Sequence, residues 1–127
     1  MGDFAFQRLD VYRAAIQFRQ CVERVRRGSA DLRDELERAS NSIICNVAEG
    51  AGRMRPAEKR HFYELARGSA CECVGAIDGL VAIGALGAAE HAQALDLLVR
   101  IGMMLSALIR RFASAGKARS ASRSPGR

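Results

Sequence analysis

The sequence has no tryptophan and only two prolines, and its aromatic residues are five phenylalanines and two tyrosines. Nucleic-acid-binding proteins read unpaired bases by stacking them on aromatic rings, so this scarcity gives little support to base-specific binding of single strands. No stretch alternates apolar and polar residues as a half-buried strand does, and no internal repeat is visible. These absences favour a helix-rich globular domain, which 127 residues are enough to form with a real core.

Long uncharged apolar runs are also missing. The longest, such as residues 79–89, fall well short of the roughly 20 residues that span a bilayer. The first ten residues contain Asp3, Arg8 and Asp10, so they offer no hydrophobic region of the kind that directs secretion. The sequence therefore predicts a cytoplasmic protein without membrane contact.

The formal charge of +6 is unevenly distributed along the chain. Residues 115–127 contain four basic residues and no acidic one, which leaves only +2 for residues 1–114. The segment 114–127 is rich in Ser, Gly and Arg, a composition typical of disorder. We therefore predict one folded domain over residues 1–113, followed by a disordered basic tail over residues 114–127.

The chain has four cysteines, all inside helical patterns: Cys21, Cys45, Cys71 and Cys73. Without an export signal, buried reduced thiols are favoured over disulfides. Cys71 and Cys73 are two residues apart, so on a helix they point to nearly opposite sides and chelate a metal poorly. His61 and His91 lie in different helical segments without ligands at suitable spacing. No metal and no cofactor are expected.

Four segments carry apolar residues at steps of three and four, which indicates amphipathic helices. They cover approximately residues 6–27, 30–52, 55–86 and 89–112. Because the connections are short, we predict an all-α fold, an antiparallel four-helix bundle with up-down-up-down topology. Gly28-Ser29 is expected to end the first helix and cap the second.

The other helix ends carry recognisable signals as well. Gly50 and Gly52 can supply a left-handed cap for the second helix, and Pro56 suits the first position of the third. The third helix is predicted to place these residues toward the core: Phe62, Leu65, Ser69, Cys73, Ala76, Leu80 and Ile83.

The fourth segment is apolar over much of its circumference, which indicates burial on more than one side. One face suffices for the bundle core, and it is assigned to Leu95, Leu98, Gly102, Leu105, Ile109 and Phe112. The surplus face, together with a second apolar ridge of the first helix, is predicted to contact another subunit: Leu9, Tyr12, Ile16, Leu97, Ile101, Met104 and Leu108.

Polar residues interrupt the second helix within the stretch SNSIICNVAEGAGR, which begins at Ser40. Ser42, Asn46, Glu49 and Arg53 follow each other at steps of four, three and four, so they form one stripe of the helix. Polar groups at a core boundary need partners, or each costs about 1–3 kcal/mol. We predict that this stripe forms a hydrogen-bond network with two residues of the third helix: Ser69 and Glu72.

Two chemical alternatives involve the same region. Glu49 and Glu72 are candidates for a carboxylate pair in acid–base catalysis, with His61 as a proton carrier. The glycines before Pro56 resemble a phosphate cradle, but no strand precedes them and the Walker Lys-Ser/Thr is absent. Inter-helix hydrogen bonds and a helix end are the simpler interpretation.

Basic residues of the first helix and of the tail are candidate contacts for a nucleic-acid backbone. Arg8, Arg19 and Arg26 fall almost in line between the two apolar ridges. Arg13, Arg24 and Arg27 are further candidates on the adjoining polar face of this helix, and Lys117, Arg119 and Arg123 are candidates in the tail. The alternative is that these are solvated charges whose stems cover apolar surface.

Taken together, several short motifs resemble one family: Ser42-Ile43, Asn46-Val47-Ala48-Glu49-Gly50, Gly52-Arg53, Phe62, Ala66-Arg67-Gly68-Ser69 and Glu72. They are similar to the four-helix-bundle proteins encoded within intervening sequences of bacterial 23S rRNA genes, with Val47 in place of the usual isoleucine. The opening Leu9-x-Val11-Tyr12-x-x-Ala15 is similar too, and the resemblance covers about residues 6–110.

The resemblance implies an antiparallel four-helix bundle, commonly assembled as a ring of five subunits and without established enzymatic activity. A related branch, the accessory proteins of diversity-generating retroelements, binds nucleic acid and a reverse transcriptase. The expectation is therefore a non-catalytic homo-oligomer, a pentamer, that binds RNA, DNA or a nucleoprotein partner. The alternative is an oligomeric protein-interaction scaffold with no nucleic-acid role.

Overall fold

A computed structural model of the chain describes residues 5–123, with the side chains of residues 5, 6 and 8–113. Over this range the chain is all-α and contains no strand, as the sequence predicts. A short 3₁₀ helix at Ala5–Arg8 precedes four α-helices: α1 (Asp10–Glu23), α2 (Ala30–Gly52), α3 (Pro56–Ala82) and α4 (Ala88–Arg123).

Each helix packs against its neighbours in the chain, and α1 also packs against α4. Within the described range, the Cα atoms of α1 and α3 do not come within 8 Å of each other, nor do those of α2 and α4. The four helices therefore surround one shared core, as in a bundle. Its largest fully buried side chains come from all four helices: Phe18, Leu36, Ile43, Ile77, Leu80, Ile101 and Leu105.

Specific contacts fix the directions of α2, α3 and α4. Gly50, near the end of α2, faces Tyr63 near the start of α3, while Ser42 bonds to the later Ser69, so these helices are antiparallel. Tyr63 also lies against Phe112, with ring centroids 6.0 Å apart, which opposes the start of α3 to a late part of α4. This packing is compatible with the predicted up-down-up-down topology.

The first helix is shorter than its apolar pattern predicts. Leu9 has an extended backbone (φ −67°, ψ 134°), so α1 begins only at Asp10. It ends at Glu23, where the N–H groups of Arg24 and Val25 bond to carbonyls three residues back and tighten the last turn. Ser29 caps α2 as predicted, because its Oγ accepts the Leu32 N–H at 3.4 Å.

Gly28 and Gly84 are the two glycines with left-handed backbone in the described chain, at φ +99° and +73°. An added Cβ at Gly28 would lie 2.7 Å from Leu80, so this loop has no space for a side chain. Gly84 ends α3 four residues earlier than the predicted limit of 86, and the following Ala85 N–H bonds to the Leu80 carbonyl at 2.8 Å.

The predicted left-handed cap at Gly50 and Gly52 is wrong. Both remain helical, and Arg53 follows with an extended backbone (φ −77°, ψ 151°). The carbonyls that end the helix are bonded instead by Lys59, whose Nζ donates to Gly50 O at 3.3 Å and Ala51 O at 2.9 Å. A cation at this position also suits the negative end of the helix dipole. Pro56 opens α3 as predicted.

The core side of α3 agrees with the prediction at Ser69, Cys73, Ala76 and Leu80 but departs from it near both ends of the helix. Tyr63 is buried whereas its neighbour Phe62 is only half-buried, and Leu65 and Ile83 are 44 % and 57 % exposed. Assigning Leu65 and Ile83 to the core was therefore wrong. Small residues supply much of the buried face, since Ala66 and Ala70 join the predicted core positions. Alanines carry little weight in an apolar pattern, which is why these two were left out of the predicted core.

The core face of α4 lies between the two predicted faces. Leu97 and Ile101, assigned to a subunit contact, are buried in the bundle itself, so that part of the prediction is wrong. The five predicted contacts that remain are half-buried along α1 and α4: Leu9, Tyr12, Ile16, Met104 and Leu108. A helix with apolar residues on most sides does not reveal by its own sequence which side its neighbours cover.

Helix α4 continues to Arg123, so the backbone of residues 114–123 is helical where the sequence predicted a disordered tail. Alanine and arginine favour a helix, and the next proline is Pro125. Residues 124–127 of the predicted tail lie outside the described residues.

By length and composition alone, residues Ala88–Ala113 of α4 are apolar enough to cross a membrane. The core helix of a soluble bundle passes the same test, and here one side of the helix packs against α1 and α3. Only 28 % of the most apolar window is buried, however. Helix α4 therefore also presents apolar residues on its outer side.

Candidate functional site

Three members of the predicted polar network meet between α2 and α3. Ser69 Oγ donates to Ser42 Oγ at 2.9 Å, and Asn46 Nδ2 lies 3.0 Å from both the carbonyl and the Oγ of Ser42. Ser69 is buried, and Ser42 and Asn46 are half-buried. The inter-helix bond itself is made by the two serines, and Asn46 supports it from the next turn of α2.

The other three members lie elsewhere. Glu49 pairs with Arg53 at 2.8 Å within the last turns of α2, while Glu72 pairs with Arg38 at 2.6 Å. Glu49 and Glu72 are both exposed and each has its own arginine, so the fold does not bring them together as a carboxylate pair. His61, the proposed proton carrier, is exposed and contacts the ring of Phe62.

Sequence reasoning missed Arg38 as the partner of Glu72, because the two are 34 positions apart. Arg38 also bonds to Glu35 one turn away, at 2.7 Å, and this bond lowers the pKa of Glu35. The three-residue spacing of Glu35 and Arg38 on one helix predicts the pair between these two residues, but it gives no indication of the pair with Glu72.

Asn46→Ala is expected to lower the free energy of unfolding by about 1 kcal/mol, because Ser42 loses a hydrogen-bond donor at a partly buried site. Any effect on function should follow from reduced stability or assembly. Urea denaturation followed by circular dichroism measures the change. The control is Glu49→Ala, which removes an exposed ion pair and should cost less than about 0.5 kcal/mol. Equal losses in both variants would contradict a structural role for the Ser42–Asn46–Ser69 cluster.

Arg19, one of the predicted contacts to a nucleic-acid backbone, instead binds side chains of α1 and α2. Its guanidinium bonds to Asn41 Oδ1 at 2.7 Å and to Glu23 at 2.8 Å, and it lies 3.6 Å from Glu37. These contacts attach α1 to α2. The prediction that Arg19 is available for nucleic acid is therefore corrected.

The remaining arginines of the first helical segment do not form one line. Arg8 ends the 3₁₀ helix before α1 and Arg13 lies in the first turn of α1, whereas Arg24, Arg26 and Arg27 follow the end of α1. Eleven residues separate Arg13 from Arg24, which corresponds to roughly 16 Å along a helix. The two groups therefore belong to opposite ends of the bundle.

Six basic residues lie where α2 ends, α3 begins and the late part of α4 packs against them. We call this surface the basic end, and its members are Arg53, Arg55, Lys59, Arg60, Arg110 and Arg111. Lys59 Nζ lies 5.6 Å from the ring centroid of Phe112, which joins the start of α3 to α4. Burial lowers the pKa of Lys59, and the charge of Arg111 lowers it further, so like charges are close together here.

Only part of this charge is neutralised by neighbours. Arg53 pairs with Glu49 and Glu58, and Arg60 pairs with Glu64. For Arg55, Arg110 and Arg111, no carboxylate of the described residues forms an ion pair within 4.0 Å. These three guanidiniums are exposed and can bind an external anion, although that of Arg111 also lies 5.2 Å from the ring centroid of Phe112.

Sequence reasoning missed the basic end because Arg55 and Arg110 are 55 positions apart in the sequence. The predicted topology contained the signal, since it places the end of the second helix, the start of the third and the end of the fourth together. Helix α4 extends from this end through the positions of Lys117, Arg119 and Arg123. The side chains of these three lie outside the described part of the structure.

The prediction that the cysteines are buried holds only for Cys73. All four are free thiols, but Cys45 and Cys71 are exposed and Cys21 is half-buried. Burial, together with the nearby charges of Glu72 and Glu35, raises the pKa of Cys73 to about 12. Within the described residues, no group of three or more His, Cys, Asp or Glu side chains is placed to hold a metal ion.

We expect iodoacetamide at pH 8 to alkylate Cys45 and Cys71 readily and to leave Cys73 unmodified in the folded protein. The thiolate is the reactive form, and at this pH almost none of Cys73 is ionised. Peptide mass spectrometry locates the adducts, and a sample in urea serves as the control in which Cys73 reacts. Rapid labelling of Cys73 in the folded protein would show that this core site opens.

Residues 7–107 match the sequence model of the 23S rRNA-intervening sequence protein family. The match includes the Ser42–Asn46–Ser69 cluster and ends before the basic residues that follow Leu108 on α4. No curated protein matches the chain.

Proposed function

Because this chain belongs to the 23S rRNA-intervening sequence protein family, we propose that it is a non-catalytic, homo-oligomeric four-helix-bundle protein that binds RNA through its basic end. The observation that carries the proposal is that Arg55, Arg110 and Arg111 have no ion-pair partner among the described carboxylates. They lie toward the same end of the bundle, because the contact between Tyr63 and Phe112 places the start of α3 beside the late part of α4. Cations placed against RNA phosphates release condensed counterions, which drives binding independently of base sequence.

Phosphate contacts suit this surface better than base stacking. Phe62, the aromatic ring nearest the loop before α3, is half-buried and covered by the guanidinium of Arg53 at 4.9 Å. The exposed apolar side chain in that loop is Met54, which is 90 % exposed between Arg53 and Arg55. We therefore expect affinity to depend strongly on salt and weakly on base sequence.

The RNA proposal is tested by comparing two triple variants with equal loss of charge. Arg55→Gln/Arg110→Gln/Arg111→Gln should weaken RNA binding at least tenfold and reduce the slope of log K against log salt by about 2–3. The matched control, Arg24→Gln/Arg26→Gln/Arg27→Gln, removes the same charge at the opposite end and should change the slope little. Fluorescence anisotropy with a labelled RNA between about 50 and 200 mM salt measures both.

Two outcomes of this comparison would change the assignment. Equal weakening by both triple variants would mean that net charge alone drives binding. A larger effect of the control variant would restore the original assignment to the first helix. Chain shortening to residue 114 tests Lys117, Arg119 and Arg123 separately. Absence of RNA binding by the full chain would reject the proposal.

We propose that the subunits of the oligomer, a pentamer, contact each other through the outer side of α4. Leu95, Val99, Gly102 and Met103 form what we call the outer stripe, in which Val99 and Met103 are 51 % and 67 % exposed. A Cβ at Gly102 would meet nothing within 4 Å, although glycine inside a helix costs about 1 kcal/mol relative to alanine. Close approach of a second copy would account for both the exposed apolar side chains and the glycine at position 102.

Light scattering at micromolar concentration tests assembly. Val99→Asp/Met103→Asp should dissociate the oligomer, because it places two charges in an apolar contact. Met54→Asp is a control with one added charge, since Met54 is exposed outside the outer stripe. A monomeric unmodified protein would reject the oligomer, and dissociation by Met54→Asp would place the contact elsewhere.

The second candidate function is an oligomeric protein-interaction scaffold with no nucleic-acid role. The apolar outer stripe of α4 favours it, because that surface suits a protein partner as well as a second copy. An oligomer that binds no RNA in the anisotropy assay would favour this candidate. In both cases we place the protein in the cytoplasm, a setting supported by its four free cysteines.

A further inference from the structure

A groove of about 450 Å³ lies at the end of the bundle opposite the basic end. It is lined by the segment after α1 and by the loop between α3 and α4, and its volume is typical of small-molecule sites. Its lining combines three arginines, apolar side chains, glycine backbone and one acid: Arg24, Val25, Arg26, Arg27, Gly84, Ala85, Leu86, Gly87 and Glu90.

The charges of this groove are unbalanced. In the described part of the chain, Arg24, Arg26 and Arg27 form no ion pair within 4.0 Å. Of the nearest carboxylates, Glu23 pairs with Arg19 at 2.8 Å and Glu90 accepts the Gly87 N–H at 3.4 Å. Asp34 and Asp96 line neighbouring pockets, outside this groove, with Arg26 and Arg24. The N–H groups of the three exposed guanidiniums are therefore available to donate hydrogen bonds to an anion.

The other lining residues give the groove an apolar wall and a defined shape. Val25, Ala85 and Leu86 are half-buried and pack against the core. Gly28 and Gly84 adopt left-handed backbones in the two loops, and a Cβ at Gly28 would collide with Ala85 at 2.8 Å. The loops are thereby held in contact, so the arginines are presented beside an apolar surface.

We propose that this groove binds a phosphorylated small molecule of nucleotide size. Phosphate carries up to two negative charges, and its oxygens accept paired hydrogen bonds from the guanidinium fork. A phosphate ligand therefore suits a cluster of arginines better than a ligand with a single carboxylate. The uncharged part of the ligand lies against Val25 and Leu86. This site is separate from the basic end and does not depend on RNA binding.

Isothermal titration of the full chain with ADP and with pyrophosphate tests the proposal. Both should bind, and ADP should bind more tightly because pyrophosphate cannot use the apolar wall. Arg26→Gln/Arg27→Gln should weaken ADP binding about tenfold, the effect of losing a charge-assisted contact. The matched control, Arg55→Gln/Arg110→Gln, removes the same charge at the basic end and should change ADP affinity less than about twofold.

Failure of ADP and pyrophosphate to bind, or equal weakening by both double variants, would overturn the proposal. The same would follow if a 5′-phosphorylated oligonucleotide bound through Arg26 and Arg27 while free ADP did not, because the source of the phosphate would then be an RNA end. Circular dichroism melts verify that both double variants remain folded. Loss of RNA binding in Arg55→Gln/Arg110→Gln with unchanged ADP binding separates this site from the proposed RNA surface.

Discussion

Phe18→Ala is expected to lower the free energy of unfolding by about 3–5 kcal/mol, the largest effect of any single substitution considered. Phe18 is fully buried, and α1 otherwise contributes mainly small side chains to the core, namely Val11, Ala14, Ala15 and Val22. It also lines a small cavity of about 40 Å³, so truncation would enlarge an existing void. Domains of this size are stable by only about 5–15 kcal/mol.

Urea denaturation followed by far-ultraviolet circular dichroism measures this loss, since the protein has no tryptophan for fluorescence. Phe18→Leu should lose much less, because most of the volume is retained. Leu65→Ala is the exposed control and should cost less than about 1 kcal/mol. A Phe18→Ala variant no less stable than the control would mean that α1 is only loosely attached to the bundle.

Gly50→Ala is the second large prediction, with an expected loss of about 1–3 kcal/mol. Alanine is intrinsically better than glycine in a helix by about 1 kcal/mol, so propensity alone predicts stabilisation. At this position, however, the new Cβ would lie 2.9 Å from a ring carbon of Tyr63 and 3.2 Å from Phe62 Cβ. Tyr63 is buried, so its ring cannot move away without disturbing the core between α2 and α3.

Gly68→Ala is the matched control, because an added Cβ there meets nothing within 4 Å. It should stabilise the protein by up to about 1 kcal/mol, the helix-propensity difference. The two glycine variants are thus expected to change the free energy of unfolding in opposite directions in the same urea assay. Stabilisation by both would show that α2 and α3 separate slightly at no cost.

Several local features were predictable because they depend on neighbours in the sequence. Steps of three and four indicate a helix whatever it packs against, and they identified all four helices. Ser29 and Pro56 act within one turn, so the cap of α2 and the start of α3 were also predicted correctly. The family was recognisable from the motifs around Ser42 and Asn46.

The sequence alone thus determined helix content, the number of helices and the family, because these follow from local spacing and short motifs. Only the tertiary structure decided which side of α4 is buried, since its apolar residues cover most of its circumference. Only antiparallel packing brings the start of α3, which follows Arg55, to the part of α4 that carries Arg110 and Arg111, and only contact with α2 engages Arg19. Burial and charge pairing depend on residues far apart in sequence, and the periodicity of one helix contains no information about what another helix places against it.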